Sequence, residues 1–597
     1  MNANYVRPHE LSDVPPRLSV IVASCSRRQA LTRALASISE QDIPAEHYEV
    51  IVAVEDGTDD RKEYLRSLRT AYSLRIIEGS NRGLAAALNE GVRAACGQIV
   101  LFTDDDVILH PGNFRAHLDA HGMVHSLVVH GPVVVSKESA DTLATKLARQ
   151  EVAEEIKRWE MRWTWPRDGK VGPNYSISRS NLLACGVFDE DLAQSYPIEL
   201  GLRLTKMGLR FLYEPKAISQ RVFENTAEQM VHIEARGKGR DEIPLLQKHP
   251  ELRPSSTFAG FADAPAWKRL AIQAAARFPV TPDLLLRPTF VLADRLRFLS
   301  SLRQFGLRLL RMRIAISFLR GAVESVGWRN LQSEFGRRLP VLMYHHVGPP
   351  QPDSEPALFV SAPRFEAQIR FLARRGYVGI RPSDWLSWVR TAKPLPPKSV
   401  LVTFDDSIAE LYDHAFPVLE RYGFNAVVFV PTNCVGKGNL WNYSLGYKWR
   451  PCLTAEQIQY WSMKGVDFGA HSRNHPDLTE LEEPELQDEV AGSRSDLEKI
   501  TGLPVTSFAY PYGLYDAATA ACVEQHLDLG FTTDEGVNTL RTNRSLLRRV
   551  TVFDWETLLE LELMLRLGWN PVRRLRARFR IRSRLSRILR RMRILHN

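Results

Sequence analysis

Cysteine is scarce and scattered in this chain. Its 597 residues hold six, Cys25, Cys96, Cys185, Cys434, Cys452 and Cys522, with no CxxC pair among them. That spacing argues against a disulfide framework and a cysteine-based zinc site, and it fits a reducing compartment. No run of 18 uninterrupted apolar residues occurs, so no spanning helix is expected. The first 18 residues are polar and lack the apolar stretch of a signal peptide, which gives a cytoplasmic location as the expectation. Acidic residues stop at Glu562, whereas 571–597 contains eleven arginines. Leu575, Phe579, Ile581, Leu585, Ile588, Leu589 and Leu595 are interleaved with them at roughly helical spacing. This reads as a basic amphipathic helix lying on the inner face of a membrane; a solvated tail packed on its own domain is the alternative. Nothing beside the tail resembles a nucleic-acid module, so no nucleic acid is expected as partner.

What is present is ordinary globular protein, 44% hydrophobic and 25% charged, too long for one core. Strand signals at 18–23, 48–54, 74–77 and 98–103 alternate with helical stretches, the pattern of a largely parallel α/β sheet. Ligands of such sheets lie off the strand C-termini. Acids collect there, in Glu55-Asp56 and in Asp104-Asp105-Asp106. Hard carboxylate oxygens suit Mg²⁺ or Mn²⁺, the ions that neutralise a diphosphate, so Asp104 and Asp106 are candidate ligands. Asp56 is placed to accept hydrogen bonds from a base or ribose.

A second strand end is more pointed. Val400-Leu401-Val402-Thr403-Phe404 runs into Asp405-Asp406, and two buried acids need a partner. His471 and His475, four residues apart, supply two imidazoles. A carboxylate with two histidines is a common catalytic metal set, which leaves the second carboxylate free as a base. Strand–helix units from 340 to 550, with polar residues at strand ends, suggest a (β/α) barrel, complete or incomplete.

Residues 18–245 resemble a family 2 glycosyltransferase of GT-A fold. The resemblance rests on 54–59, Asn81-Arg82-Gly83, Asn89-Glu90-Gly91, Asp104 to Asp106, Gly186-Val187-Phe188-Asp189-Glu190 and Glu199 to Gly208. It implies that Asp56, Arg82, Asp104 and Asp106 bind a nucleotide sugar. The family's base falls where Tyr196-Pro197 stands, and neither residue can take a proton. Glu199 is then the nearest candidate base. Residues 340–550 resemble NodB-like polysaccharide deacetylases of carbohydrate esterase family 4, through 403–406, His471 to His475 and 508–513. That resemblance makes Asp405 the base, with Asp406, His471 and His475 holding Zn²⁺. Ala509 replaces the arginine that orients the base, and 547–550 lacks the late histidine acid. Tyr344-His345 matches the branch of poly-N-acetylglucosamine deacetylases, which implies His345 as acid. Pro511 and Tyr512 would contact substrate.

The expected organisation is a polar tail at 1–17, a GT-A domain at 18–249 and a helical region at 250–338. A deacetylase domain at 339–556 and a basic tail at 557–597 follow. In the helical region, 299–323 alternates apolar residues and arginines, either as an interfacial helix pair or as a linker packed on a domain. Residues 327–338 read as a polar connection. The expected function is a bifunctional glycan enzyme using a nucleotide-sugar donor and an N-acetylated oligosaccharide or lipid-linked glycan. Its alternative is a deacetylase whose degenerate transferase domain only binds sugar or nucleotide.

Overall fold

The computed structural model describes residues 5–6, 15–24, 28–54, 61–78, 83–123, 126–159, 171–278, 281–349, 358–439, 441 and 449–576. The chain forms two compact units: Met1–His249 with Leu270–Trp328, and Pro250–Arg269 with Arg329–Asn597.

In the first unit eight strands lie side by side. Their spatial order is Tyr5–Val6, Ser73–Glu78, Tyr48–Val54, Leu18–Ser24, Ile99–Asp104, Asn174–Ser178, Leu127–His130 and Arg210–Tyr213. The central four run parallel, while Asn174–Ser178 is antiparallel to both its neighbours. All seven residues of Leu18–Ser24 are buried, as a strand covered on both faces requires. Ile21, Ile51 and Phe102 face one apolar cluster, and Val20, Val50 and Val52 face the other. A smaller sheet places Ser219–Arg221 between Val107–Leu109 and Val133–Val135.

The helix Ser300–Val326 covers the 299–323 segment. Leu307, Leu309 and Leu310 pack with Leu143, Leu147 and Val231, and Arg313 is fully buried between Asp283 and Glu228. Much of the segment's apolar surface is therefore internal. The 327–338 connection contains a helix, Trp328–Phe335, with Leu331 and Phe335 buried. Its i, i+4 apolar pair outweighed a polar composition.

The second unit is built on a parallel sheet. Its order is Leu529–Phe531, Ser507–Ala509, Asp467–Ala470, Ala426–Val430, Ser399–Phe404, Val341–Tyr344 and Val550–Thr551, with Val378–Gly379 also on Ser399–Phe404. The segment that leads into Val550–Thr551 also reaches the opposite edge: the Leu547 N–H donates to the Gly530 carbonyl at 2.7 Å and the Thr532 N–H to the Leu547 carbonyl at 2.8 Å, so it links the two sides of the sheet. The helical stretch after Asp406 divides into Glu410–His414 and Phe416–Tyr422. Pro417 lacks the N–H that would continue the first helix and is tolerated in the first turn of the second.

Candidate active sites

The strand Ser399–Phe404 delivers Asp405 and Asp406 at its C-terminal end, beside Tyr344 of the neighbouring strand. The Asp405 N–H donates to the Tyr344 carbonyl at 3.0 Å, so His345 leaves its strand next to Asp405. Its Nε2 lies 3.8 Å from Asp405 Oδ2. Asp467–Ala470 delivers His471, whose N–H donates to the Val430 carbonyl. His471 Nδ1 donates to the Ala509 carbonyl at 2.7 Å, which leaves Nε2 unprotonated and free to ligate.

Asp406, His471 and His475 converge. One ligand atom from each lies within 4.8 Å of the others, and all three residues are buried. Asp406 Oδ1 stands 3.4 Å from His475 Nε2 and 3.7 Å from His471 Nε2. With bonds of about 2.0–2.1 Å, tetrahedral ligand atoms stand roughly 3.3–3.5 Å apart, so the three fit a zinc-sized ion. The electrostatics also suit a cation. Burial and then the Asp405 charge push the Asp406 carboxyl up to about 8, and burial holds the His475 imidazole well below its usual value. Of the seven non-glycine residues with positive φ among those described, five are here: Asp406, Ser407, Ser472, His475 and Tyr512. Such strain, about 1–3 kcal/mol per residue, persists where surrounding structure over-determines it. Around the histidines, Arg473 is ion-paired with Asp488 and Asp496, and Glu489 accepts from the Arg473 and Asn474 N–H groups.

Sequence reasoning missed Arg549. Its guanidinium, fully buried, grips Asp405 with Nη1–Oδ1 at 2.6 Å and Nη2–Oδ2 at 2.8 Å. Nε donates to the Thr532 carbonyl at 2.8 Å. Burial raises the Asp405 carboxyl, but Arg549, with His345 and His471, more than reverses this and leaves it at about 2. The gap left by Ala509 is thus filled from a segment 144 residues from Asp405. The available signal was the pair Arg548-Arg549 set between Leu546-Leu547 and Val550, where a buried arginine demands an acid. Burial drives the His345 imidazole down to about 4, against the pull of Asp405. Tyr512 (φ 57°, ψ 1°) sets its ring edge-on to His475 at 4.5 Å, beside buried Pro511.

In the first unit Asp104, Asp106, Tyr196 and Pro197 line a cavity of about 940 Å³, with Trp159 and Lys238. Trp159 stacks on His130 at 4.9 Å. Asp104 and Asp106 are brought together, but Arg221 bridges them: Nε donates to Asp106 Oδ1 at 3.0 Å and Nη2 to Asp104 Oδ2. Asp56 and Arg82 lie outside the described residues. Glu199, the expected base, is held in an ion pair and is not among the residues lining the cavity. Its side chain is buried, gripped by Arg203 and 3.2 Å from His249 Nε2. Burial raises its carboxyl, yet His249 and Arg203 pull it down to about 2. It is a structural ion-pair partner.

Residues 392–532 match the family model for polysaccharide deacetylase, and residues 19–174 match that for glycosyl transferase family 2. The polysaccharide-deacetylase-type protein YxkH of Bacillus subtilis is 30% identical over 223 residues, 37% of this chain and 74% of that protein. The poly-β-1,6-N-acetyl-D-glucosamine N-deacetylase of Staphylococcus aureus is 25% identical over 199 residues, 33% of this chain and 68% of that one. A mannosyltransferase structure from Pyrobaculum calidifontis covers 54% of this chain and 91% of its own, at 19% identity and a TM-score of 0.37.

Proposed function

We propose that this chain, a member of the polysaccharide deacetylase family whose residues 19–174 match glycosyl transferase family 2, is a bifunctional glycan-synthesis enzyme. The reading is metal-dependent N-deacetylation of an N-acetylated amino sugar. It rests on the buried Asp406–His471–His475 group beside an arginine-held Asp405. Those three residues would hold zinc, which when bound polarises the acetamide carbonyl and makes water nucleophilic. Asp405 takes the proton from water, held in one orientation by Arg549. His345, 3.8 Å from Asp405, takes over that proton from Asp405 and gives it to the amine nitrogen as the C–N bond breaks. A neutral imidazole at rest suits that relay better than a permanent cation. The Tyr512 N–H faces the developing oxyanion, and Pro511 shapes the sugar contact. Asp405→Asn is expected to keep its zinc and lose acetate release from N-acetylated oligosaccharide by at least about 100-fold. Zinc loss, or undiminished acetate release, would sink these roles.

The first unit is read as the transferase step, with a nucleotide sugar in the 940 Å³ cavity and Mg²⁺ or Mn²⁺ arriving at Asp104 and Asp106. Presenting a panel of nucleotide-linked N-acetyl sugars with lipid-linked acceptors tests it. Nucleoside diphosphate and acetate release are followed separately. Acetate release without nucleoside diphosphate from any donor would leave only the deacetylase.

We further place the chain at the cytoplasmic face of a membrane. The five described cysteines are free, which supports a reducing compartment. Among the described residues no helix is long and apolar enough to cross a membrane. On the helix Thr281–Arg295, however, Leu284, Leu285 and Leu292 are 65%, 70% and 58% exposed. Arg287 and Arg295 share the exposed surface, while Asp283 pairs with Arg313 and Asp294 accepts from the Leu143 N–H. An apolar face rimmed by arginine, its acids otherwise engaged, suits anionic lipid. Of the arginine-rich tail, 571–576 is helical and 577–597 lies outside the described residues. Replacing Leu284, Leu285 and Leu292 together by Ser should weaken binding to phosphatidylserine vesicles at least about tenfold, since each buried leucine contributes about 1.5–3 kcal/mol. Co-sedimentation measures it, and an unchanged isotherm would exclude this face.

A further inference from the structure

Arg221 occupies the position where a cation would sit on Asp104 and Asp106. The backbone fixes it there. Ser219–Arg221 is the middle strand of its three-stranded sheet, with Arg221 opposite Val107 on one side and Val135 on the other. The Val222 N–H donates to the Asp106 carbonyl at 3.2 Å, and the Ser136 N–H to the Arg221 carbonyl at 2.8 Å. Only the side chain can move. Its fork spans both carboxylates, and the three groups open onto the cavity that Lys238 also lines.

A divalent ion cannot take these carboxylates while the guanidinium holds them, because it would meet a like charge within a few ångströms. A nucleoside diphosphate changes the balance. It brings oxygens that a guanidinium binds in a bidentate fork as well as it binds a carboxylate. We propose that Arg221 is an exchangeable cation, closing Asp104 and Asp106 to free metal and moving onto the diphosphate when a nucleotide arrives with its metal. The inference rests on the reading of this cavity as a nucleotide-sugar site. It makes metal entry and nucleotide entry mutually dependent, with Arg221 as the coupling residue.

The test uses zinc-loaded full-length protein, so that Asp406, His471 and His475 are occupied. Mn²⁺ binding is followed by electron paramagnetic resonance, alone and with UDP, GDP, ADP or dTDP. Wild type should bind Mn²⁺ weakly alone and about tenfold or more tighter with a nucleotide it accepts, within the usual range of coupling between sites. Arg221→Met should bind Mn²⁺ alone about tenfold tighter than wild type and show little further gain from nucleotide. Adding Asp104→Asn should abolish that new affinity. Arg221→Lys, which keeps the charge but not the fork, should fall between and guards against misfolding of the Met variant. Equal Mn²⁺ affinity in wild type and Arg221→Met would overturn the inference while leaving nucleotide binding intact. Failure of every nucleotide to bind either protein with Mn²⁺ would instead overturn the nucleotide-sugar reading, and with it the diphosphate half of the proposal.

Discussion

Arg549→Met is expected to lower the kcat of acetate release by about 10²–10⁴-fold, the contribution of a well-placed general base, while zinc content and KM stay close to wild type. The reason is that Arg549 bonds Asp405 and not Asp406, His471 or His475, and so acts through Asp405. Both partners are buried, with side-chain exposures of 0% and 5%, and the two N–H···O bonds fix the carboxylate plane. Removing the cation leaves Asp405 with His345 at 3.8 Å as its nearest compensation. Breaking a buried pair from one side costs about 3–5 kcal/mol of stability, so the variant should also melt at lower temperature. Arg549→Lys separates the two effects. It restores a positive charge but not the fork, so much of the stability should return and less of the kcat. A Met variant with unimpaired kcat would remove Arg549 from the machinery and leave it a structural arginine.

The contrast between Arg549 and the metal group shows what a sequence can reveal of a site. Asp405-Asp406 and His471 to His475 are each local: an acid pair at the end of an apolar strand, and two imidazoles on one short turn. Their types and spacing indicate a metal before any fold is known. Arg549 carries no such local mark, because its partner lies 144 residues earlier, and only a curled sheet makes them neighbours. Arg221 is similar: the register of Ser219–Arg221 against Val107–Leu109 decides that it meets Asp106. Glu199 is the opposite case. Arg203 stands four residues further on the same helix, and that i, i+4 pair was readable. The resemblance to a transferase motif drew the reading toward a base, and the buried ion pair prevails. The parallel parts of both sheets followed directly from alternating strands and helices. The helix Trp328–Phe335 did not, because its apolar stripe is only two residues deep.

Asp406→Ala is expected to abolish zinc loading and acetate release together. Its carboxylate is the one anionic member of the group, 3.4 and 3.7 Å from the imidazole nitrogens of His475 and His471. Two neutral imidazoles alone bind zinc poorly, so affinity should fall by more than the roughly 10–100-fold that losing an outer hydrogen-bond partner costs. Metal analysis after dialysis reads this directly. The same variant should leave the metal-free fold nearly as stable as wild type, or more so. Burial and the Asp405 charge push the folded Asp406 carboxyl up to about 8, above its value in an unfolded chain. At pH 7 the folded, metal-free form therefore holds a proton that unfolding releases. That stability is fully present below the unfolded value and is lost as pH rises through about 8. An uncompensated buried acid is thus a cost that only a cation reverses. Zinc at 100 times its Kd should add about 2.7 kcal/mol to wild type by mass action, and nothing to Asp406→Ala. Melting curves with and without zinc measure both arms. Equal zinc stabilisation of the two proteins would mean that the ion binds elsewhere, and that Asp406 is not its ligand.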